Sequence, residues 1–180
     1  MEAIDQVPGL QGQSRRLVLS LLGAFSLTAG DGTPVAISGK KSRALIAILA
    51  LTPGQSISRE RLCTLLWGDH ADELARNNLR QTLSVLRKEL GPDDANIVRS
   101  QGDRLVLDTG LVSVDALDVI AAADDEDPVR LRKVAQHLTG SLLPDATGLD
   151  EPFEEWLTLE RQRLHNAAVR ILERLAEVET

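Results

Sequence analysis

Read in twos and then in threes and fours, the chain divides into a β-rich opening, a helical middle with a second hairpin, and a long helical end. From Leu17 onward Leu19, Leu21, Phe25 and Leu27 fall on one face, with Ser20, Ala24, Ser26 and Thr28 largely on the other, which is the period of a strand. The Gly-Asp-Gly of "AGDGTP" then signals a tight turn and "VAIS" supplies a second short run, so a hairpin is predicted. The same stretch opens on Arg15 and Arg16 before a mostly apolar run, as a twin-arginine export signal does. The immediate hairpin partner favours the strand, because cleavage there would destroy its register.

The middle changes period. In "KKSRALIAILAL", Ala44 to Leu51 is apolar nearly all round and is stopped by Pro53-Gly54, as expected of a helix inside a domain. Ser58 is the predicted N-cap of a second helix, with Ile57 stapled to Leu62; Leu62, Leu65 and Leu66 form its buried face and Gly68 its end. Asp69 or Asp72 is expected to cap a third helix, whose buried stripe is Ala75, Leu79, Leu83, Leu86 and Leu90. That stripe dictates the opposite face: Arg76, Asn77, Arg80, Gln81, Ser84, Arg87 and Lys88 point outward, with Asn78 on the flank. Gly91-Pro92 closes the helix, and "NIVRS" and "RLVLD" form a hairpin through Gln101, Gly102 and Asp103. Beyond Asp115 the pattern is helical again: "VDALDVIAAADD", then "PVRLRKVAQHL" after Asp127-Pro128, then a run from Pro152 to Glu179 capped by Asp150. Its stripe of Leu157, Leu164, Ala168, Ile171, Leu175 and Val178 reaches the chain end with no visible partner. A longer protein, a second copy or folding back on the preceding helices would each cover it, the first being the expectation.

Composition narrows the classes. The 180 residues are 43% hydrophobic and 26% charged, an ordinary globular balance, and no apolar run is long enough for a membrane span. With two Trp, two Phe and no Tyr, the core must be aliphatic. Cys63, the single cysteine, cannot form an internal disulfide and lies among leucines, so a buried thiol is expected. His70, His137 and His165 are isolated, and no metal spacing, Gly-rich phosphate loop or nucleophile with a positioned base is present, which argues against an enzyme and implies no cofactor. The net charge of -7 is uneven: residues 39–104 hold eleven basic and eight acidic side chains, residues 105–180 seven and sixteen. The third helix lies within the basic part. Asn and Gln there can bond adenine edges, Arg guanine, and the terminal cations phosphates.

Strands, three helices and a closing hairpin describe a winged helix-turn-helix. "LLGAFSL", "GTPVAISGKKSRALIAILALTPGQSISRERLCTLLWGD", "ARNNLRQTLSVLRKELG" and "IVRSQGDRLVLD" resemble the OmpR/PhoB-type winged helix of SARP-type activators; "GSLLPD", Trp156 and "ERQRL" resemble the bacterial transcriptional activation domain that follows it. The implied architecture is a flexible tail (1–15), an α+β winged helix-turn-helix (16–110) and part of an all-α, tetratricopeptide-like domain (111–180). The resemblance further implies a cytoplasmic protein that binds double-stranded DNA, as copies on direct repeats or as a dimer. Residues 72–90 become the recognition helix, with Arg76, Asn77, Asn78, Arg80, Gln81, Ser84, Arg87 and Lys88 as its DNA contacts. Arg99, Gln101 and Arg104 become wing contacts, and Asp69, His70, Asp72 and Glu73 a loop that can touch RNA polymerase. The sequence departs from the family at the wing tip, where Gly102 is followed by the anionic Asp103 in place of the usual Tyr. That departure motivates a rival reading, a winged helix serving as a protein-docking module of a larger ATPase, cyclase or sensor protein.

Overall fold

The computed structural model describes residues 16–138 and 140–178; the tail expected over 1–15 and the helix end at Glu179 lie outside them. Strands β1 (Leu17–Ser20) and β2 (Ser26–Thr28) pair antiparallel, with Leu19 opposite Leu27. The hairpin is thus tighter than predicted. Alternation runs on through Leu21–Phe25, but the chain reverses there, and the Ala29–Thr33 turn brings back "VAIS" as coil, with a bond from Val35 N–H to the Leu27 carbonyl instead of a strand. Leu17, Leu19, Leu21 and Leu27 nevertheless all face the core, because the reversal keeps their parity.

Helix α1 (Lys40–Leu51) is buried from Ala44 to Leu51, as its all-round apolar pattern requires. A 3-10 turn at Pro53–Gln55 leads to β3 (Ser56–Ser58), a strand the pattern was too short to announce. Helix α2 (Arg59–Leu66) starts at Ser58, whose side chain accepts from Arg61 N–H as expected of an N-cap. Helix α3 (Asp72–Asp94) buries Ala75, Leu79, Leu83, Leu86 and Leu90 and breaks at Gly91, where φ is +77°. Its N-cap is Ala71, not Asp69 or Asp72; neither carboxylate bonds the helix end, and Asp72 lies one position inside it. Strands β4 (Val98–Gln101) and β5 (Arg104–Leu107) form the second hairpin, and β3 pairs with β5 to give the sheet order β3-β5-β4. The first part of the chain is therefore a winged helix-turn-helix.

Strand β6 (Val112–Val114) lies past the expected boundary at residue 110, yet pairs parallel with β1 and completes the sheet β2-β1-β6. Helix α4 (Asp115–Ala122) follows at once, and the Asp115 carboxylate accepts from the N–H groups of Leu21, Leu22 and Ala116. Helices α5 (Pro128–Ala135), capped by Asp127, and α6 (Glu151–Val178) complete the fold. The "GSLLPD" stretch lies against the first hairpin through Gly23 N–H to the Ser141 carbonyl and Leu143 N–H to the Leu21 carbonyl. Arg161 of α6 donates to the carbonyls of Leu142 and Leu143.

Two expectations about α6 are corrected. Asp150 does not cap it, because its carboxylate turns instead to Lys41 Nζ of α1 at 2.9 Å. The apolar stripe is largely covered within the chain: Ile171 is fully buried and Leu175 packs on the same core, while Val178 stays exposed. Folding back on α2, α4 and α5 thus covers Ile171 and, in part, Leu175.

Candidate nucleic-acid interface

The stripe that anchors α3 leaves its other face in solvent. Arg76, Asn77, Arg80, Gln81, Ser84, Arg87 and Lys88 are exposed and Asn78 is half-buried on the flank, each where the sequence placed it. Among the described residues, no side-chain hydrogen bond or ion pair engages Asn77, Arg80, Gln81, Ser84 or Lys88. Their donors and acceptors face water, which base edges and phosphates can replace. Val85, off the buried stripe, is 47% exposed. With Asn78 and Gln81 it lines a shallow groove of about 440 Å³ against Gly39 and Lys41, and its methyl groups are of the kind that meet thymine methyls. Pattern reading missed Val85, although an apolar residue outside the stripe was a visible signal.

The loop between α2 and α3 is pinned from behind. Lys41 Nζ donates to the Leu66 carbonyl and sits 4.9 Å from the centre of the Trp67 ring while holding Asp150. Gly68 follows the end of α2 as expected, but without a positive φ. Its missing side chain makes room, since a Cβ there would lie 2.8 Å from the Thr64 carbonyl oxygen and 2.9 Å from Pro152 Cγ of α6. Asp69, His70, Asp72 and Glu73 remain exposed in front of this anchor. Between α2 and α3 opens a cleft of about 530 Å³, with Cys63, Trp67 and Leu79 at its floor and Arg59, Arg76 and Arg80 among its walls. Burial pushes the Cys63 thiol up, against the pull of Arg76 and Arg59, as expected of a structural cysteine.

The wing differs. Arg99 pairs with Asp108 at 2.8 Å, and Arg104 donates from Nε to Ser56 Oγ and from Nη2 to the Ser56 carbonyl, both at 2.8 Å. These two wing cations, expected to face DNA, are tied into the sheet; Gln101 and Asp103 flank the tip, exposed. Two other arginines converge on the wing: Arg59 Nη2 lies 2.9 Å and Arg87 Nη2 3.3 Å from Ser100 Oγ. Neither Arg59 nor Ser100 was singled out from sequence. They are separated by 41 positions, and no local pattern reports such a pairing.

Residues 32–103, which run from the first turn through α3 to the wing tip, match the family described as "Transcriptional regulatory protein, C terminal". The transcriptional regulatory protein EmbR of Mycobacterium bovis and of Mycobacterium tuberculosis is 36% identical over 77 residues, 43% of this chain and 20% of the relative. The structure of Mycobacterium tuberculosis EmbR in complex with a low-affinity phosphopeptide aligns with a TM-score of 0.58 at 26% identity, over 84% of this chain and 44% of that one. The chain thus spans a fifth of the curated relatives' length and under half of the solved one. Both the family and these relatives are described as transcriptional regulatory proteins. Residues 32–103 thus match the domain of that family, and over most of its length the chain is similar in structure to the regulator EmbR.

Proposed function

We propose that the chain is a sequence-specific DNA-binding transcriptional activator that lays α3 in the major groove. The observation that carries this reading is the outward face of α3, where Asn77, Arg80, Gln81 and Ser84 stand unbonded on a helix whose other face is locked into the core. A rigid helix presenting unsatisfied amide and guanidinium groups has the chemistry of direct base readout. Lys88 and Arg87 add phosphate contacts at the end nearer the wing. The exposed Asp69, His70, Asp72 and Glu73, held on the loop that Lys41 and Gly68 anchor, would meet a basic surface of RNA polymerase. Helices α4 to α6 are read as the beginning of a tetratricopeptide-like domain that joins copies bound to direct repeats. Selection from a randomised duplex pool, followed by fluorescence anisotropy across a salt series, tests the reading. A motif bound at least about a thousand-fold more tightly than random DNA is expected. Unselective or absent binding would overturn it in favour of a docking module.

A further inference from the structure

We infer that Arg59, Ser100 and Arg87 form a clamp for one backbone phosphate of duplex DNA, in which Ser100 is the positioning residue and the two arginines make the contact. The inference rests on the DNA-binding reading above and adds to it two residues outside the recognition helix. Both guanidinium groups donate to the same neutral hydroxyl, Arg59 from the first turn of α2 and Arg87 from the last turns of α3. Two like charges brought to one uncharged oxygen repel each other, and neither forms an ion pair among the described residues. The neighbouring wing arginines contrast with them: Arg99 has Asp108, and Arg104 has the hydroxyl and carbonyl of Ser56. An anion set between Arg59 and Arg87 would remove the repulsion and accept from both forks, the geometry in which guanidinium groups bind phosphate.

Location selects a backbone phosphate. The hydroxyl sits on β4, opposite Leu105 and short of the Gly102-Asp103 tip, where the outward face of α3 meets the wing. Arg59 also lines the cleft walled by Arg76 and Arg80, so the cationic edge continues along α3 from the clamp. A DNA strand following that edge reaches Ser100 without burying Asp103, whose carboxylate would repel a strand drawn in deeper. The wing thereby acts through its serine, which lines up arginines supplied by both helices of the helix-turn-helix and sets the register of α3 on the duplex.

The test is fluorescence anisotropy of the 180-residue chain with a mixed-sequence duplex over a salt series, since a phosphate contact is indifferent to sequence. Each phosphate neutralised contributes about 0.9 to the slope of log affinity against log salt. Arg59→Ala and Arg87→Ala are each expected to weaken binding about tenfold and to lower the slope by about 0.9, and the double variant by no more than that, because both guanidinium groups serve one phosphate. Ser100→Ala should weaken all duplexes alike and Ser100→Thr, which keeps the hydroxyl, should restore them, with unchanged urea midpoints showing that the variants are folded. A double variant whose slope falls by about 1.8, an Arg59→Ala protein equal to wild type, or a Ser100→Thr protein as weak as Ser100→Ala would overturn the clamp and leave the DNA reading standing. Wild-type protein that shows no salt-dependent binding would overturn both.

Discussion

Along α3, Arg80 and Lys88 reach solvent with no partner among the described residues, whereas in the adjoining wing Arg99 is held by Asp108 and Arg104 by Ser56. Both regions are exposed and both were read as cationic contacts for DNA. The difference lies in what stands opposite. A helix surface opposite a packed stripe meets nothing from its own chain, while a hairpin strand always has a neighbouring strand within reach of its long side chains. Exposed arginines on an edge hairpin are therefore a weaker sign of a ligand than the same residues on the free face of an anchored helix.

The comparison extends to Lys41, a cation held more deeply than those of the wing, and the largest expected effect is there. Lys41→Ala removes the partner of Asp150, whose second oxygen already lacks one in its buried position. A loss of about 3 kcal/mol in urea unfolding is expected; a loss below about 1 kcal/mol would mean that the ion pair does not join α6 to the winged helix. Arg80→Ala and Gln81→Ala sharpen the opposite side. Each should cost about 1 to 3 kcal/mol of preference for a selected duplex over random DNA while leaving stability within about 0.5 kcal/mol. Equal losses on both duplexes would remove these residues from base readout. Arg104→Ala should do the reverse and show the smallest effect, lowering stability by about 1 kcal/mol through its bonds to Ser56 and changing duplex affinity by no more than about twofold. A tenfold loss of affinity with stability intact would break the distinction between the two faces.

The legible parts of the chain share one property. The stripe Ala75, Leu79, Leu83, Leu86 and Leu90 and the Ser58 cap were readable because they express relations among residues a few positions apart. The opening strand was misread for the complementary reason. Its alternation persists through Leu21–Phe25, and nothing within those residues shows that the backbone reverses there, a reversal held by Asp115 and the Ser141–Leu143 stretch from far along the chain. Ile171 and Leu175 looked uncovered because the helices that cover them come earlier in the sequence at no fixed spacing.

The carboxylates show where the division falls. The Asp127 carboxylate caps α5, yet that of Asp150, the residue before α6, turns away to Lys41 across 109 residues. By itself the sequence determined which face of each long helix is buried, and so which side chains of α3 meet solvent, because helical periodicity is a local consequence of backbone geometry. Only the tertiary structure decided which charged groups find partners: Lys41 with Asp150, Arg104 with Ser56, and Arg59 and Arg87 together at Ser100. A charged group drawn out of water is stabilised by whatever donor or acceptor the fold brings within hydrogen-bond reach, and that proximity is a property of the packed chain.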